Sequence, residues 1–240
     1  MTINTAKIFI DYRDAKKLLE KLEIDYIEEK EKAKSLRKTD FTKEFIKQSY
    51  KDDYRNMYRI ARENLDYNLL IKENGSIFQF GYELDENERI SDLRYAYYEA
   101  PSYQISYEQY LSDLDLDYEE CGNIFFEDYT QVLSETALKN NVTSIRYDFN
   151  ISQRKEIIHP VSHLHIGQQN EIRIPVSFIM TPKNFVAFIV RHIFWNKWRI
   201  GMENPSFKEE YLSGYSTGPS LDELLFTRDE KRDLYFKYNY

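Results

Sequence analysis

The dipeptide Asn74-Gly75 is the feature that most narrows the range of folds open to this sequence. It lies between two runs rich in Leu, Ile, Phe and Tyr, in the stretch DYNLLIKENGSIFQFGYE. Asn-Gly between apolar runs is the strongest short-range indication of a β-hairpin, because both residues tolerate the positive φ that its turn requires. We therefore expect antiparallel strands at about 67–72 and 77–83, and a third strand at 92–100.

Three further extended segments follow in the second half of the chain. Their sequences are TSIRYDFN, SHLHIG and NEIRIPV, and residues 167–170 fit a tight connection between the last two. Short strands separated by turn residues are typical of an antiparallel meander. The sequence thus predicts an antiparallel sheet of about five to six strands.

Helical patterns precede this sheet. Apolar residues recur at helical spacing from residue 12 to about 36, with a break near Ile24. The same spacing returns over 41–65, after Asp40, which is a suitable N-cap. A weaker pattern predicts a helix over 107–114.

A strongly apolar helix is expected near the carboxyl end. Thr181 and Pro182 provide an N-cap and a first helical residue, and the apolar pattern continues to residue 198. Such a helix belongs in the protein interior. Glycines and prolines then predict loops, before a short helix near 227–237.

These elements predict an α+β fold in which an antiparallel sheet packs with one buried helix and N-terminal helices are added. We expect a single domain over residues 1–240. In it, residues 1–66 form a helical extension, 67–200 the sheet-containing core, and 201–240 loops and a short helix.

Charge is distributed unevenly along the chain. The net charge of −8 and the pI of about 5.2 argue against a protein that coats duplex nucleic acid through overall attraction. No Lys or Arg occurs between Arg94 and Lys139, whereas this interval contains many Asp and Glu residues. We expect the acidic segment 99–135 to bind a basic surface on a protein partner.

Location is predicted from absences in the sequence. The single cysteine, Cys121, has no internal disulfide partner, and the amino-terminal residues do not resemble a signal peptide. The longest strongly apolar run, 185–190, is too short to span a membrane. The expectation is a cytoplasmic protein without membrane passage.

Three of the four histidines lie in one stretch, RYDFNISQRKEIIHPVSHLHIG, residues 146–167. On a strand, residues two apart point to the same side, so Arg146 shares a face with Asp148, and His163 shares a face with His165. If the two strands lie close together, these four residues form one polar surface. His159, in the loop before Pro160, is close enough in sequence to reach it.

Three interpretations of this cluster remain open. Two imidazoles can act as acid and base, while an aspartate orients one of them and an arginine stabilises phosphate charge; cleavage of RNA by its own 2′-hydroxyl needs little more. Alternatively, His159, His163 and His165 with Asp148 could bind zinc, manganese or iron, although no strong zinc spacing is present. The third interpretation is structural, with the histidines hydrogen-bonded to their neighbours.

Two other arginines and one histidine are further candidates for this polar site. Arg191, in a highly apolar helix, needs a carboxylate or a bound anion as partner, and the same applies to Arg173. His192, on the same helix as Arg191, is predicted to be a core histidine.

The order and spacing of these residues resemble a family. Arg146-Tyr-Asp148, His159-Pro-x-x-His163-x-His165-x-Gly167, Arg173-Ile-Pro175 and Thr181-Pro-x-x-Phe185-x-x-Phe188-Ile-x-Arg191 are similar to a bacterial family known as domain of unknown function 2290. The resemblance is specific over about residues 144–195, and the family implies no established activity. More loosely, Arg-x-Asp followed by His and His-x-His resembles small toxins of bacterial toxin–antitoxin pairs.

The working hypothesis is a nuclease-like effector of a bacterial toxin–antitoxin or phage-defence system, acting on RNA or nucleotides. It is a metal-independent ribonuclease that needs no cofactor, with His163, His165, Asp148 and His159 catalytic. Arg146, Arg173 and Arg191 hold the substrate. The alternative is a non-enzymatic regulator or antitoxin-like protein that binds its partner through residues 99–135.

Overall fold

The computed structural model describes residues 3–51, 53–101, 106–138, 142–168, 172–215 and 218–234. The chain divides into two compact units. The larger unit contains residues 1–99 and 143–240, and the smaller unit contains residues 100–142.

The larger unit is built on an antiparallel sheet. Over the described ranges, seven strands pair in chain order, each with the next. They are β1 (Tyr26–Glu28), β2 (Leu69–Ile71), β3 (Ile77–Leu84), β4 (Ile90–Tyr98), β5 (Ser144–Asn150), β6 (Ser162–Ile166) and β7 (Ile174–Pro175). The α+β class, the meander and the hairpin at Asn74-Gly75 are confirmed, with one strand more than expected. The predicted connection at 167–170 lies partly outside the described residues.

The extra strand is β1, and it corrects the helix predicted over 12–36. Helix α1 spans Thr5–Lys21 and helix α2 spans Lys30–Ser35. Between them Glu23 has φ of 52°, which ends the helical path, and Tyr26 pairs with Ile71 of β2. The apolar spacing is compatible with a helix, but backbone pairing with a distant strand outweighs it.

The helix predicted over 41–65 is also divided. Helix α3 spans Lys43–Gln48 and helix α4 spans Tyr54–Glu63. Asp40 does not cap α3; it ends a short 3₁₀ turn, Lys38–Asp40, and the hydroxyl of Thr42 accepts the N–H of Phe45 instead. Asp53 caps α4 in the same way, so each segment starts with its own side-chain cap.

The apolar helix predicted from Thr181 to residue 198 differs from the prediction at its end. Helix α8 spans Pro182–His192 and begins at the Thr181 cap as expected. It stops before residue 198, because the backbone of Phe194 leaves the helical conformation, with φ of −100° and ψ of 41°; the ring of this residue is buried, 6.3 Å from that of Tyr97. A separate helix, α9, follows over Trp195–Gly201.

Helix α10, Pro205–Tyr215, occupies a region predicted to be loops. The side chain of Asn204 accepts the N–H groups of Ser206 and Phe207, and Pro205 takes the first helical position, where a proline favours a helix start. The final helix, α11, spans Arg228–Asp233. The predicted end of this helix at 237 lies outside the described residues.

The core of the larger unit lies on one face of the sheet. Helices α1 and α8 cover this face, and Phe185 of α8 is completely buried there against Phe80 and Tyr95, with ring centroids 6.3 and 5.9 Å away. Full burial of such a side chain contributes about 1.5–3 kcal/mol. The packing fixes which side of each strand faces away from the core.

The opposite face of the sheet is partly covered near β3. The 3₁₀ turn packs so closely on this strand that a Cβ at Gly81 would lie 2.7 Å from Cγ of Lys38. Only glycine permits this approach. The remainder of the face, over β4 to β6, carries the polar residues of interest.

The smaller unit is helical, with α5 (Tyr107–Asp113), α6 (Tyr118–Cys121) and α7 (Phe126–Leu138). Helix α5 confirms the prediction over 107–114. The ring of Tyr107 lies 5.3 Å from those of Phe126 and Tyr129, and Leu111 is completely buried. This aromatic cluster explains why so acidic a segment folds compactly.

Candidate functional site

Strands β4, β5 and β6 carry their polar residues on the face that points away from the core. In the strand register, Asp148 lies opposite His163 on β6 and opposite Arg94 on β4, and Arg146 lies opposite His165. The structure therefore brings together the four residues that alternation in the sequence placed on two separate strand faces.

Asp148, His163 and His165 form the closest group, which we call the triad. Nε2 of His163 lies 3.0 Å from Nε2 of His165, and Nε2 of His165 lies 3.3 Å from Oδ2 of Asp148. Arg146 donates its Nε–H to the same carboxylate oxygen over 2.8 Å. Three side chains thus point nitrogen or oxygen atoms at one small region.

The proton positions within the triad follow from a backbone contact. Nδ1 of His163 lies 2.7 Å from the carbonyl oxygen of Pro160, which can only accept, so Nδ1 carries the hydrogen. A neutral His163 then has a free lone pair on Nε2. The hydrogen between the two imidazoles must therefore be on Nε2 of His165. This one N–H faces two acceptors, Nε2 of His163 and Oδ2 of Asp148.

Burial and charge set the ionisation of two triad members. Burial lowers the pKa of His163 to about 4, so this imidazole is neutral at neutral pH. Burial raises the pKa of Asp148, but the hydrogen bond from His165 and the charge of Arg146 outweigh it and bring this pKa well below its usual range. Asp148 is therefore ionised.

A cavity of about 290 Å³, the first cavity, opens beside the triad. Its lining residues come from β4, β5, β6, the residues after β6 and the residues after α3: Ser49, Tyr50, Tyr98, Ser144, Arg146, His165, Gly167 and Gln168. His165 and Arg146 border it, whereas His163 is only 1% exposed and does not. His165 is thus the triad imidazole that a bound molecule would contact.

A second cavity of about 220 Å³ shares Ser49 and Tyr50 with the first. Its other walls are aromatic, aliphatic and charged side chains: Lys38, Thr39, Phe41, Phe45, Ile46, Gln79, Glu83 and Arg94. Tyr50, between the two cavities, is 73% exposed.

The remaining predicted residues lie at different distances from the triad. The His159 ring is 4.9 Å from that of His163, and burial together with the charge of Arg173 lowers the pKa of His159. His159 and Arg173 line a separate surface depression. His159 lies beside the triad, and neither residue lines the first cavity.

Arg191 and His192 are not brought to the triad. Both lie on α8, which packs on the opposite face of the sheet, and both are exposed. The guanidinium carbon of Arg191 stacks 5.4 Å from the ring of Trp198, and the His192 ring lies 4.5 Å from that of Phe188. The prediction of His192 as a core residue is wrong, because it occupies the exposed last turn of the helix.

Arg94 and Tyr50 are neighbours of the site that the sequence did not indicate. Alternation along DLRYAYY separates Arg94 from the core residues Leu93 and Tyr95, but only the pairing of β4 with β5 brings it opposite Asp148. Tyr50 lies in a helix-rich segment distant in sequence, and no local pattern links it to the histidines.

The model of one protein family matches residues 18–237; its description is an uncharacterized conserved protein, DUF2290. This confirms the family resemblance seen in the histidine motif. No curated protein matches the chain. No solved structure matches it either. Among the helices of the described residues, none is long and apolar enough to cross a membrane.

Proposed function

The chain belongs to the DUF2290 family, whose description names no activity, and we propose from its site that it is a nuclease-like effector that cleaves RNA, in a bacterial toxin–antitoxin or phage-defence system. The observation that carries this proposal is the first cavity, in which a cationic side chain, Arg146, and an imidazole, His165, border the same space.

Arg146 favours an anionic substrate. Its side chain is about one third exposed, and it bonds Asp148 through its Nε–H. The forked geometry of a guanidinium leaves further N–H groups that can bind phosphate oxygens. Arg94, which pairs with Asp148 from the neighbouring strand β4, adds a second positive charge. This local charge supports phosphate binding despite the acidic chain.

The second cavity supports a nucleotide rather than a bare phosphate. Phe41, Phe45 and Tyr50 supply aromatic walls directly beside the first cavity. Bases of single-stranded nucleic acid stack on such side chains, with about 1–3 kcal/mol per base. A phosphate in the first cavity and the neighbouring base in the second would therefore match the charged lining of the first cavity and the aromatic lining of the second.

The two histidines take unequal parts in this proposal. In RNA cleavage, the 2′-hydroxyl oxygen bonds to phosphorus, the bond from phosphorus to the 5′-oxygen breaks, and a proton moves from the first oxygen to the second through the site or water. His165 borders the cavity and can contact these atoms. His163 is buried and acts through His165.

The direct test measures cleavage of labelled single-stranded RNA by the purified chain, in buffers with and without divalent cations. Asp148→Asn and His165→Ala should reduce the cleavage rate by about a hundredfold or more. Arg146→Gln should weaken substrate binding, and the loss should be greater at low salt because phosphate attraction is screened by ions.

Matched controls lie on helix α8. His192→Ala and Arg191→Gln remove a histidine and an arginine from the opposite face and should leave cleavage unchanged. The proposal fails if the wild-type chain cleaves no RNA and does not arrest growth when produced in bacteria. It also fails if Asp148→Asn and His165→Ala both cleave like the wild type.

A second candidate function, binding of a regulatory protein partner, is favoured by the smaller unit. Ile124, Phe126 and Leu114 are 76%, 49% and 48% exposed there, although they are large apolar side chains. Carboxylates adjoin them in sequence, without any Lys or Arg up to residue 138. An apolar surface with acidic surroundings fits a basic partner protein.

A pull-down from cells that produce the tagged full chain tests this second candidate. Joint replacement of Asp113, Asp115 and Asp117 by Asn should release a basic partner, whereas His165→Ala should retain it. Equal recovery of the partner with both variants would exclude this surface as the binding site.

A further inference from the structure

The triad has the atoms of a metal site. His163 and His165 each present Nε2, and Asp148 presents a carboxylate oxygen, with all three atoms within 4.8 Å of one another. Two imidazoles and one carboxylate form a familiar three-ligand set for zinc and for non-haem iron, and such sites leave further positions on the ion open.

The shorter distances agree with ligands of a common ion. Donor atoms at about 2.0–2.2 Å from a metal, separated by octahedral or tetrahedral angles, lie about 2.8–3.6 Å apart. The contacts of His165 with His163 and with Asp148 measure 3.0 and 3.3 Å. Both values fall in this interval, and the donor atoms of His163 and Asp148, the third pair, lie within 4.8 Å of each other.

The surroundings also hold the ligands in the required form. The Nδ1–H of His163 donates to the carbonyl of Pro160, which leaves the lone pair on Nε2, the nitrogen that faces His165. Metal-bound histidines commonly donate their other ring N–H to a backbone carbonyl in this way. Arg146 donates to Oδ2 of the ionised carboxylate and so fixes its position.

Without an ion, the triad has fewer hydrogen-bond donors than acceptors. The single N–H of His165 faces two acceptors, Nε2 of His163 and Oδ2 of Asp148. It cannot make a straight hydrogen bond to both of them at once. A cation would instead accept a lone pair from each of the three groups. The cluster is mostly buried, since His163 and His165 are 1% and 8% exposed, so direct solvation contributes little.

We propose that Asp148, His163 and His165 bind one divalent transition-metal ion, of which zinc, manganese and iron are the candidates by ligand type. Binding stands on the geometry alone; only its catalytic role rests on the proposed function. Because His165 also borders the first cavity, a phosphate there could reach the ion's open positions. The ion would polarise the phosphoryl oxygen and stabilise the charge that develops on it.

Titration of chelator-treated full chain with Co²⁺, followed by visible absorption, and with Zn²⁺, followed by calorimetry, tests the site. The wild type should bind one ion per chain and melt at a higher temperature with the ion present. His163→Ala, His165→Ala and Asp148→Asn should each weaken binding by about a hundredfold or more.

Two features keep the test decisive. His192→Ala, which removes a histidine from the opposite face, should bind the ion like the wild type. Asp148→Asn preserves side-chain size and an acceptor for Arg146, so it tests the ligand even if loss of a buried imidazole unfolds the protein; circular dichroism checks each variant. The site is refuted if the wild type binds neither ion at micromolar concentration, or if Asp148→Asn binds with unchanged affinity.

Failure of the metal site and failure of the nuclease can be distinguished. Triad-dependent RNA cleavage that persists in chelator, with no ion bound, refutes the metal site and retains the nuclease. One ion bound at the triad without any RNA cleavage retains the metal site and refutes the nuclease. The metal-independent chemistry expected from the sequence is decided by the same pair of measurements.

Discussion

A chain of hydrogen bonds on the core side of β5 should make Tyr147→Phe measurably destabilising. The N–H of Met180 donates to Oη of Tyr147 over 3.0 Å, Oη lies 2.9 Å from Oγ of Ser162, and Ser162 donates to the carbonyl of Phe178 over 2.8 Å. Since that carbonyl can only accept, the Ser162 hydrogen is used there, and Tyr147 must donate to Ser162.

The magnitude follows from what the substitution leaves behind. Tyr147→Phe keeps the ring, which lies 5.6 Å from that of Tyr95, but leaves the N–H of Met180 without this acceptor. An unsatisfied buried group costs about 1–3 kcal/mol, and loss of the bond to Ser162 adds about 0.5–1.5 kcal/mol. We expect a total of about 1.5–4.5 kcal/mol, which for a chain of this size lowers Tm by about 3–18 °C.

Thermal unfolding followed by circular dichroism measures this change, and Tyr95→Phe is its matched control. Tyr95 is equally buried on the same face, but its hydroxyl has no hydrogen-bond partner among the described residues. Its removal should leave Tm unchanged or raise it. Equal Tm values for Tyr147→Phe and the wild type would refute the proposed chain of hydrogen bonds. An equal decrease in Tm in Tyr147→Phe and Tyr95→Phe would also refute it.

Two further predictions concern other parts of the larger unit. Phe185→Ala empties the space between α8 and the sheet and should cost about 3–5 kcal/mol in a denaturant titration; a loss below about 1 kcal/mol would contradict the packing. Glu230 is 2% exposed and accepts from Arg154 and the N–H of Thr227. Burial raises the pKa of Glu230, but these bonds lower it overall. Because the folded pKa is below the unfolded one, the stability advantage over Glu230→Gln should be present at neutral pH and shrink as pH falls through the folded pKa. A constant Tm difference from neutral to acid pH would argue against this.

The elements that were predicted correctly are fixed by residues close to them in the sequence. The turn at Asn74-Gly75 is fixed locally: Gly75 alone of the two takes a positive φ, of 70°, and the side chain of Asn74 accepts the N–H of Ser76. The Thr181 cap likewise acts on the next three residues. In contrast, β1 is a strand because Tyr26 pairs with Ile71, and local apolar spacing carries no information about that partner.

The candidate site shows the same division. Alternation alone places Arg146 with Asp148 and His163 with His165, since residues two apart on a strand share a face. Whether Asp148 lies opposite His163 depends on the pairing register, which the intervening loop and the core packing fix together. Arg94 enters the site only through its pairing with Asp148, so its part could not be predicted from β4 alone.

The most direct test of the triad is anomalous X-ray diffraction from crystals of the wild-type chain soaked in Zn²⁺, with data collected on both sides of the zinc absorption edge. The account predicts one strong anomalous peak at about 2.0–2.2 Å from Nε2 of His163, Nε2 of His165 and a carboxylate oxygen of Asp148. Zinc peaks only at surface side chains, with the triad in its metal-free hydrogen-bonded arrangement, would contradict it.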